Sequence, residues 1–223
     1  MPTLPVLLIH GVGSSFEHNW QATGWVDLLE SEGREVVPVH LPGHGPNREF
    51  RPGDTASRRV IAAAVERGQL DAVGFSAGGH ALLSAACECP DLFGRIALLG
   101  VGDPASNAAP GAGAEIADGL EADEEPSDAV PRIIRRLVDS AGNDRFAVAS
   151  FLRSPSAPLR LEDIRRVSVP TLVVLGDQDF AGPADRLVDA LAQGELVTLP
   201  GVDHFATPSN FGCIDAVLRF LDG

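Results

Sequence analysis

Short apolar runs alternate with amphipathic segments along most of the chain. Apolar runs of strand length lie at about 5–9, 35–40, 70–75, 95–100, 170–176 and 195–200. Segments with helical spacing of apolar positions lie near 20–32, 54–67, 77–89, 183–193 and 209–221. Runs that are apolar throughout, such as Ile96-Ala97-Leu98-Leu99, fit strands buried on both faces. The alternation predicts an α/β fold: a mostly parallel sheet of about six strands with helices on both faces.

This alternation is interrupted between Gly102 and Val167. The interruption contains a segment rich in Ala, Gly, Pro and Ser, then an acidic run, and then two further helical patterns near 130–138 and 146–152. We interpret the acidic run as solvated surface. We expect one domain, residues 1–223, with a small helical lid inserted at about 103–167 and its most mobile part at 103–127. The alternative is a surface excursion with no role in substrate access.

The sequence Gly74-Phe75-Ser76-Ala77-Gly78 joins a predicted strand to a predicted helix. A serine at such a corner has a strained backbone that exposes its hydroxyl, and side chains two residues before or after it would collide across the turn. Ser76 is therefore the candidate nucleophile. The alternative is a serine that only caps the helix, which is common in open α/β sheets.

Acidic residues and a histidine follow two later strands. Asp177-Gln178-Asp179 comes after the fifth apolar run, and Asp203-His204 comes after the sixth. A histidine has a pKa near ~6.5, so His204 could accept the serine proton and return it to a leaving group. The chain order Ser, Asp, His is that of the α/β-hydrolases and differs from the two best-known serine protease orders.

Composition narrows the chemistry further. The 17 basic residues are all arginine, which excludes lysine Schiff bases, a phosphate-loop lysine and a Ser-Lys dyad, so a serine nucleophile would need histidine as its base. The net charge of −14 argues against nucleic acid and anionic membranes as partners. No lysine-bearing phosphate loop or dinucleotide fingerprint accompanies the glycine-rich segment after the first strand, and no metal-type spacing is present.

The sequence also gives expectations about the protein's environment. The apolar runs are too short to span a bilayer, and the N-terminus lacks signal-peptide character, so we expect a cytoplasmic location. The three cysteines, Cys87, Cys89 and Cys213, are expected to be unpaired. The oligomeric state stays open.

Five stretches together carry a family resemblance, and they are spread over nearly the whole chain: His10-Gly11, Leu41-Pro42-Gly43-His44-Gly45, the Ser76 corner, Gly176-Asp177-Gln178-Asp179 and Asp203-His204-Phe205. On these the chain resembles an α/β-hydrolase-fold serine hydrolase of the small, single-domain esterase type. It departs from the family at Phe75, where His or Trp is frequent. It also begins directly at the strand before His10, so we expect the antiparallel strands that usually open the fold to be absent.

The resemblance implies a site. Asp179 would orient His204, with Asp177 as the close alternative and Asp103 as a distant one. The backbone N–H groups of Val12 and Ala77 would form an oxyanion hole, while His10 and His44 would hold the surrounding loops. Aromatic side chains near a core are usually only part of the core. Four residues are nevertheless candidate pocket residues: Gly11, Phe16, Phe75 and Phe205.

The implied activity is hydrolysis of small carboxylic esters through an acyl-Ser76 intermediate, with no metal or organic cofactor. Lactone, thioester or C–C bond hydrolysis and cofactor-free perhydrolysis use the same triad, so the motifs leave them open. A ligand receptor on a hydrolase fold is a third possibility, of a different class.

Overall fold

The computed structural model describes residues 3–46, 50, 51, 53–103, 112–154 and 159–223. Its sheet has six strands in the order β2-β1-β3-β4-β5-β6, and all five neighbouring pairs are parallel. The strands are β1 Val6–Ile9, β2 Val36–Val39, β3 Leu70–Phe75, β4 Phe93–Leu99, β5 Thr171–Gly176 and β6 Gly194–Leu199. The predicted α/β architecture and strand number are therefore confirmed.

Nine α-helices are described. They are α1 Trp25–Ser31, α2 Ala56–Arg67, α3 Ala77–Glu88, α4 Ala112–Glu121, α5 Ala129–Ser140, α6 Arg145–Arg153, α7 Leu161–Ile164, α8 Asp185–Ala190 and α9 Phe211–Asp222. Helices α1 and α9 cover one face of the sheet, and α2, α3, α7 and α8 cover the other. None of these described helices is long and apolar enough to cross a membrane.

The sheet is buried between two apolar layers. In β1 the alternate residues Leu7 and Ile9 enter one layer, whereas Val6 and Leu8 enter the other. All four are fully buried because successive strand side chains point to opposite faces and both faces are covered. The three cysteines are unpaired, as predicted.

Two sequence expectations about helices need correction. The helix predicted at 20–32 is split into a π-helical turn, Glu17–Gln21, and α1, because Gly24 between them has a left-handed backbone (φ 85°). No helix was predicted at Ala112–Glu121, yet α4 lies there. Its Ala117 and Leu120 are buried against α5 and α6, so tertiary packing outweighs the glycine content. Residues 104–111 of the segment expected to be most mobile lie outside the described residues.

The strand order fixes where a site can form. From β1 the chain moves outward to β2 and then returns to β3 on the other side of β1. The crevice beyond the carboxyl ends of β1 and β3 is therefore a topological switch point, where open α/β sheets bind ligands. The segment after β1 begins with His10, and the segment after β3 begins with Ser76.

A buried ion pair holds the opposite edge of the sheet. Arg34 donates from Nη2 to Asp71 Oδ2 at 2.8 Å and to the carbonyl of Leu221 at 3.2 Å, and both partners of the ion pair are nearly inaccessible. Asp71 also accepts from the Arg95 N–H at 2.8 Å. These contacts join the starts of β2 and β3 to the end of α9.

Candidate active site

Ser76 occupies a sharp corner between β3 and α3. Its φ of 52° is positive, which no other non-glycine residue in the described part of the chain shows. A Cβ added at Gly74 would lie 2.6 Å from the Gly78 carbonyl oxygen, and one at Gly78 would collide with the carbonyl of Ile9. The corner therefore needs glycine at both places, as the sequence predicted, and Ser76 carries the backbone strain that such corners impose.

Three side chains that follow separate strands are linked by a continuous series of hydrogen bonds. His204 Nε2 lies 2.9 Å from Ser76 Oγ, and His204 Nδ1 lies 2.9 and 3.0 Å from the two carboxylate oxygens of Asp179. The side chain of Asp179 is fully buried, and that of His204 is 6% exposed. With Nδ1 donating to the carboxylate, Nε2 is free to accept the serine proton, so the arrangement can perform general-base chemistry on Ser76.

The other two candidate carboxylates bond elsewhere. Asp177 is exposed and accepts from the Gly201 N–H at 2.7 Å. Asp103 is buried and accepts from the Leu187 N–H at 2.8 Å. Asp179 is the carboxylate that the structure places against His204. Asp203, next to the histidine, accepts from the Ala206 N–H, as expected for a turn residue.

The segment Gly11–Ser15, which we call the oxyanion loop, lies beside Ser76. The Gly11 N–H donates to Asn19 Oδ1 at 3.2 Å, and the Gly13 N–H donates to His44 Nε2 at 2.9 Å. Within the described part of the chain, neither the Val12 N–H nor the Ala77 N–H has an acceptor. Ala77 is the first residue of α3, so its N–H is one of those that a helix leaves unpaired. Both N–H groups that the resemblance assigned to an oxyanion hole are thus unpaired in the described part of the chain.

His10 and His44 are neutral, loop-holding side chains. His10 donates from Nδ1 to the Gly11 carbonyl and accepts from the Leu41 N–H at Nε2, and His44 likewise donates from Nδ1 to the Pro42 carbonyl. Burial lowers the pKa of His10 well below its usual range and lowers that of His44 to about 4. Both act as the sequence predicted. The described residues contain no group of three metal-ligating side chains.

Aromatic rings surround the imidazole of His204. Phe75 and Phe205, both predicted pocket residues, have ring centroids 5.1 and 5.4 Å from it. Phe180, which the sequence reasoning missed, is closer at 4.3 Å although its side chain is 59% exposed. Its position directly after Asp179 was the only available signal. Phe16, by contrast, packs against the apolar layer beneath α1 and lies 6.4 Å from the ring of His40.

Close packing also explains Gly11. A Cβ there would lie 2.8 Å from Phe75 Cδ1 and 3.6 Å from Ser76 Cβ, so a side chain would press on both. Gly100, after β4, is a second close approach that the sequence did not reveal. A Cβ there would lie 3.1 Å from His204 Cε1. The absence of a side chain at Gly11 and Gly100 therefore allows their loops to pack closely against Ser76 and His204.

Helices α4, α5 and α6 lie over this edge of the sheet. They share a small apolar core of their own, against which Val12 and Phe205 pack. The backbone of α6 approaches Gly43 so closely that a Cβ there would lie 2.8 Å from the Ala147 carbonyl oxygen. The sequence predicted helices in this region, but not which loops they contact.

The acidic run before α5 has exposed side chains and a backbone held by one arginine. Arg135 is 7% exposed and donates to the backbone carbonyls of Gly119, Ala122, Asp123 and Glu124. Its guanidinium thereby satisfies carbonyl groups at and beyond the end of α4 that the helix itself leaves unpaired. The backbone of the run is thereby anchored to α5, while its acidic side chains are exposed, as interpreted from the sequence.

Comparison with known proteins places the chain in a family. A model of the alpha/beta hydrolase family matches residues 6–211. A 2-hydroxy-6-oxononadienedioate/2-hydroxy-6-oxononatrienedioate hydrolase of Paraburkholderia phymatum is 26% identical over 90% of this chain and 81% of its own length. A 2-hydroxy-6-oxo-6-phenylhexa-2,4-dienoate hydrolase from Rhodococcus sp. strain RHA1 is similar in structure, with a TM-score of 0.73 and 21% identity over 99% of this chain and 90% of its own.

A thermophilic esterase from Thermogutta terrifontis is also similar in structure, with a TM-score of 0.73 and 21% identity over 98% of this chain and 89% of its own. At such identities the structural similarity shows the fold and not the substrate. The family model, in contrast, covers most of the chain, including β1 to β6. The chain therefore belongs to the alpha/beta hydrolase family.

Proposed function

We propose that this protein is a serine hydrolase that cleaves small, uncharged carboxylic esters through an acyl-Ser76 intermediate. The observation that carries the proposal is the hydrogen-bonded chain from Asp179 through His204 to the hydroxyl of Ser76. Its position at the switch point of the sheet, next to unpaired backbone N–H groups, adds support.

In the proposed mechanism Ser76 Oγ attacks the ester carbonyl carbon while His204 Nε2 accepts its proton. Asp179 stabilises the resulting imidazolium, and the N–H groups of Val12 and Ala77 donate to the oxyanion. The tetrahedral intermediate collapses when His204 protonates the leaving alcohol. Water, deprotonated by His204, then attacks the acyl-enzyme and releases the acid and Ser76.

We further propose that residues 103–167 are a lid on a single domain of residues 1–223. The apolar core shared by α4, α5 and α6 supports this, because Val12 and Phe205 pack against it from the two loops that flank the site. Water excluded from this contact would strengthen the electrostatic interactions beneath it.

C–C bond hydrolysis is the second candidate. It is favoured by the Paraburkholderia phymatum relative, whose name specifies a dienedioate substrate. A dicarboxylate needs cationic partners, yet the chain carries a net charge of −14. Among the described arginines of the lid region, five are paired with carboxylates, two donate to backbone carbonyls and one is exposed to solvent: in that order Arg136, Arg145, Arg153, Arg160 and Arg166, then Arg132 and Arg135, then Arg165. We therefore place an uncharged ester first.

The test is a comparison of initial rates on p-nitrophenyl butyrate, a γ-lactone and a 2-hydroxy-6-oxo-dienoate. We expect the ester to be turned over fastest. We expect Ser76→Ala to abolish turnover and Asp179→Asn to lower kcat by about 10⁴-fold, because the amide favours the wrong histidine tautomer. Asp177→Asn is the matched control, and its kcat should stay within about 3-fold of wild type, because this carboxylate is exposed.

Two outcomes would contradict the proposal. Unchanged turnover in Ser76→Ala would remove the proposed nucleophile. A dienoate rate above the ester rate would replace ester hydrolysis with C–C bond hydrolysis while keeping the same three residues.

A further inference from the structure

The turn between α5 and α6 is bonded directly to the oxyanion loop through one side chain. Asn143 Nδ2 donates to the carbonyls of Gly13 at 3.0 Å and Ser14 at 2.9 Å, and Asn143 Oδ1 accepts from the Gly45 N–H at 2.8 Å. These partners lie about 100 and 130 residues away in sequence. One amide thus joins the turn to the segment after β1 and to the segment after β2.

The backbone fixes this amide in place. Gly142 has a left-handed φ of 65°, its N–H donates to the Asp139 carbonyl, and the Asn143 N–H donates to the Val138 carbonyl. This is the Schellman arrangement that ends a helix. The next residue, Asp144, caps the start of α6 by accepting from the N–H groups of Phe146 and Ala147. Asn143 therefore sits between two helix caps, with little backbone freedom.

Its partners act on the peptide that carries the Val12 N–H through one intervening hydrogen bond. The Ser14 N–H, in the same peptide as the Gly13 carbonyl, donates at 3.3 Å to the Gly11 carbonyl, which shares its peptide with the Val12 N–H. The N–H of Gly13 is held by His44, and the carbonyl of Gly13 is held by Asn143. The N–H of Gly11 is held by Asn19. Asn19 and His44 thus fix the two peptides that flank the one carrying the Val12 N–H, and Asn143 acts on that peptide through the Ser14 N–H.

We infer that Asn143 is a positioning residue: it holds the oxyanion loop so that the Val12 N–H is aimed at the reacting oxygen. The inference rests on the proposed function, because it requires an oxyanion to form at Ser76. It assigns to the α5–α6 turn a role in the chemical step as well as in covering the site. The Val12 N–H donor is needed more in the transition state than in the bound substrate. Loosening it should therefore lower kcat while leaving KM nearly unchanged.

The experiment compares Asn143→Ala with Asp144→Ala. The second variant removes the adjacent α6 cap and so loosens the lid region without touching the oxyanion loop. Removing an oxyanion donor altogether lowers kcat by about 10²–10³-fold, so a misaimed donor should lower it by roughly 10–100-fold. For Asn143→Ala we expect a fall in that range with KM within about 3-fold. For Asp144→Ala we expect kcat within about 3-fold of wild type.

Asn143→Asp serves as the second variant in case the alanine variant folds poorly. Aspartate retains an acceptor for the Gly45 N–H but loses both N–H donors to the carbonyls of Gly13 and Ser14. Its kcat should therefore fall at least as far as that of Asn143→Ala. A normal kcat in Asn143→Asp would show that only the Gly45 contact matters and would overturn the inference.

A fluorophosphonate probe gives a readout that does not depend on knowing the substrate. Ser76 Oγ forms a bond to phosphorus, fluoride leaves, and the serine proton passes to His204, while the phosphoryl oxygen needs the same N–H donors. The labelling rate of Asn143→Ala should fall in parallel with its kcat. Equal labelling of wild type and Asn143→Ala, or an equal loss in Asp144→Ala, would overturn the inference alone. An unlabelled wild type would refute the proposed function and the inference together.

Discussion

The strain at Ser76 leads to a prediction about stability that can be tested apart from catalysis. Ser76→Ala and Ser76→Gly both remove the hydroxyl and its bond to His204. Only glycine adopts a φ of 52° without strain. Release of such strain is worth about 1–3 kcal/mol, and glycine loses about 0.4–1 kcal/mol through the greater entropy of the unfolded chain.

Midrange values of the two effects, about 2 and about 0.7 kcal/mol, give a difference of about 1.3 kcal/mol in favour of Ser76→Gly over Ser76→Ala. For a domain of this size each kcal/mol shifts Tm by about 2–4 °C, so Ser76→Gly should melt roughly 3–5 °C above Ser76→Ala. Thermal unfolding followed by circular dichroism measures the difference, and urea unfolding gives the free energies directly. Neither variant should hydrolyse an ester.

Ser150 provides the matched control, because it is exposed and lies within α6. In a helix interior glycine is about 1 kcal/mol less favourable than alanine, so here the alanine variant should melt higher. The order of the two variants should thus reverse between Ser76 and Ser150. If Ser76→Gly melted at or below Ser76→Ala while the Ser150 pair behaved as expected, the backbone at Ser76 would not be strained.

Three further predictions concern other parts of the molecule. Burial lowers the pKa of His44 from 6.5 to about 4, so the unfolded chain takes up the proton first as the pH falls, and up to about 3 kcal/mol of stability is lost between pH 6.5 and 4. His44→Gln should therefore reduce the difference in urea midpoint between pH 7 and 4.5. An unchanged difference would contradict this. Arg34→Met should lower the free energy of unfolding by about 3–5 kcal/mol, because it leaves the carboxylate of Asp71 buried without its cation. Adding Asp71→Asn should restore at least half of that loss. If denaturant unfolding showed no recovery in the double variant, this explanation would be wrong. Phe180→Ala should lower kcat by about 2–5-fold with almost no change in Tm, because an exposed ring beside His204 stabilises the imidazolium but adds little to the packing of the core. An unchanged kcat would show that the ring does not act on His204.

The sequence predicted the strands and the Ser76 site for the same physical reason. Strands buried on both faces must be apolar throughout, so their ends are easy to read. A parallel sheet then brings the segments that follow these strands to one edge. Ser76, the acidic segment 177–179 and His204 each follow a strand, so their chain order predicted that a serine, an acid and a histidine would meet. The family resemblance was needed to choose Asp179 over Asp177. The structure brings all three together.

The parts that could not be predicted depend on how the helices of the lid region pack. The contact of Asn143 with Gly13 depends on how α5 and α6 pack over the segment after β1, which no local pattern encodes. The helix α4 is stabilised by Ala117 and Leu120 against its neighbours, whereas its own glycines disfavour it. Phe180 lies on His204 because it follows Asp179, which holds the imidazole, in a turn closed by the Gly182 N–H on the Asp179 carbonyl. Its place in the chain directly after Asp179 was the only sign of this.

The bonds of Asn143 also constrain how a substrate could enter. Swinging the α5–α6 turn away from the sheet would break three hydrogen bonds, at about 1 kcal/mol each, and would bare the packed surfaces of Gly13 and Gly43. Such an opening would be populated below about 1%, and it would release the oxyanion loop whenever it occurred. A protein that opened there in each turnover would disassemble the oxyanion hole proposed for it in order to bind substrate. We therefore expect the α5–α6 turn to stay closed during turnover and to behave as a fixed wall of the site.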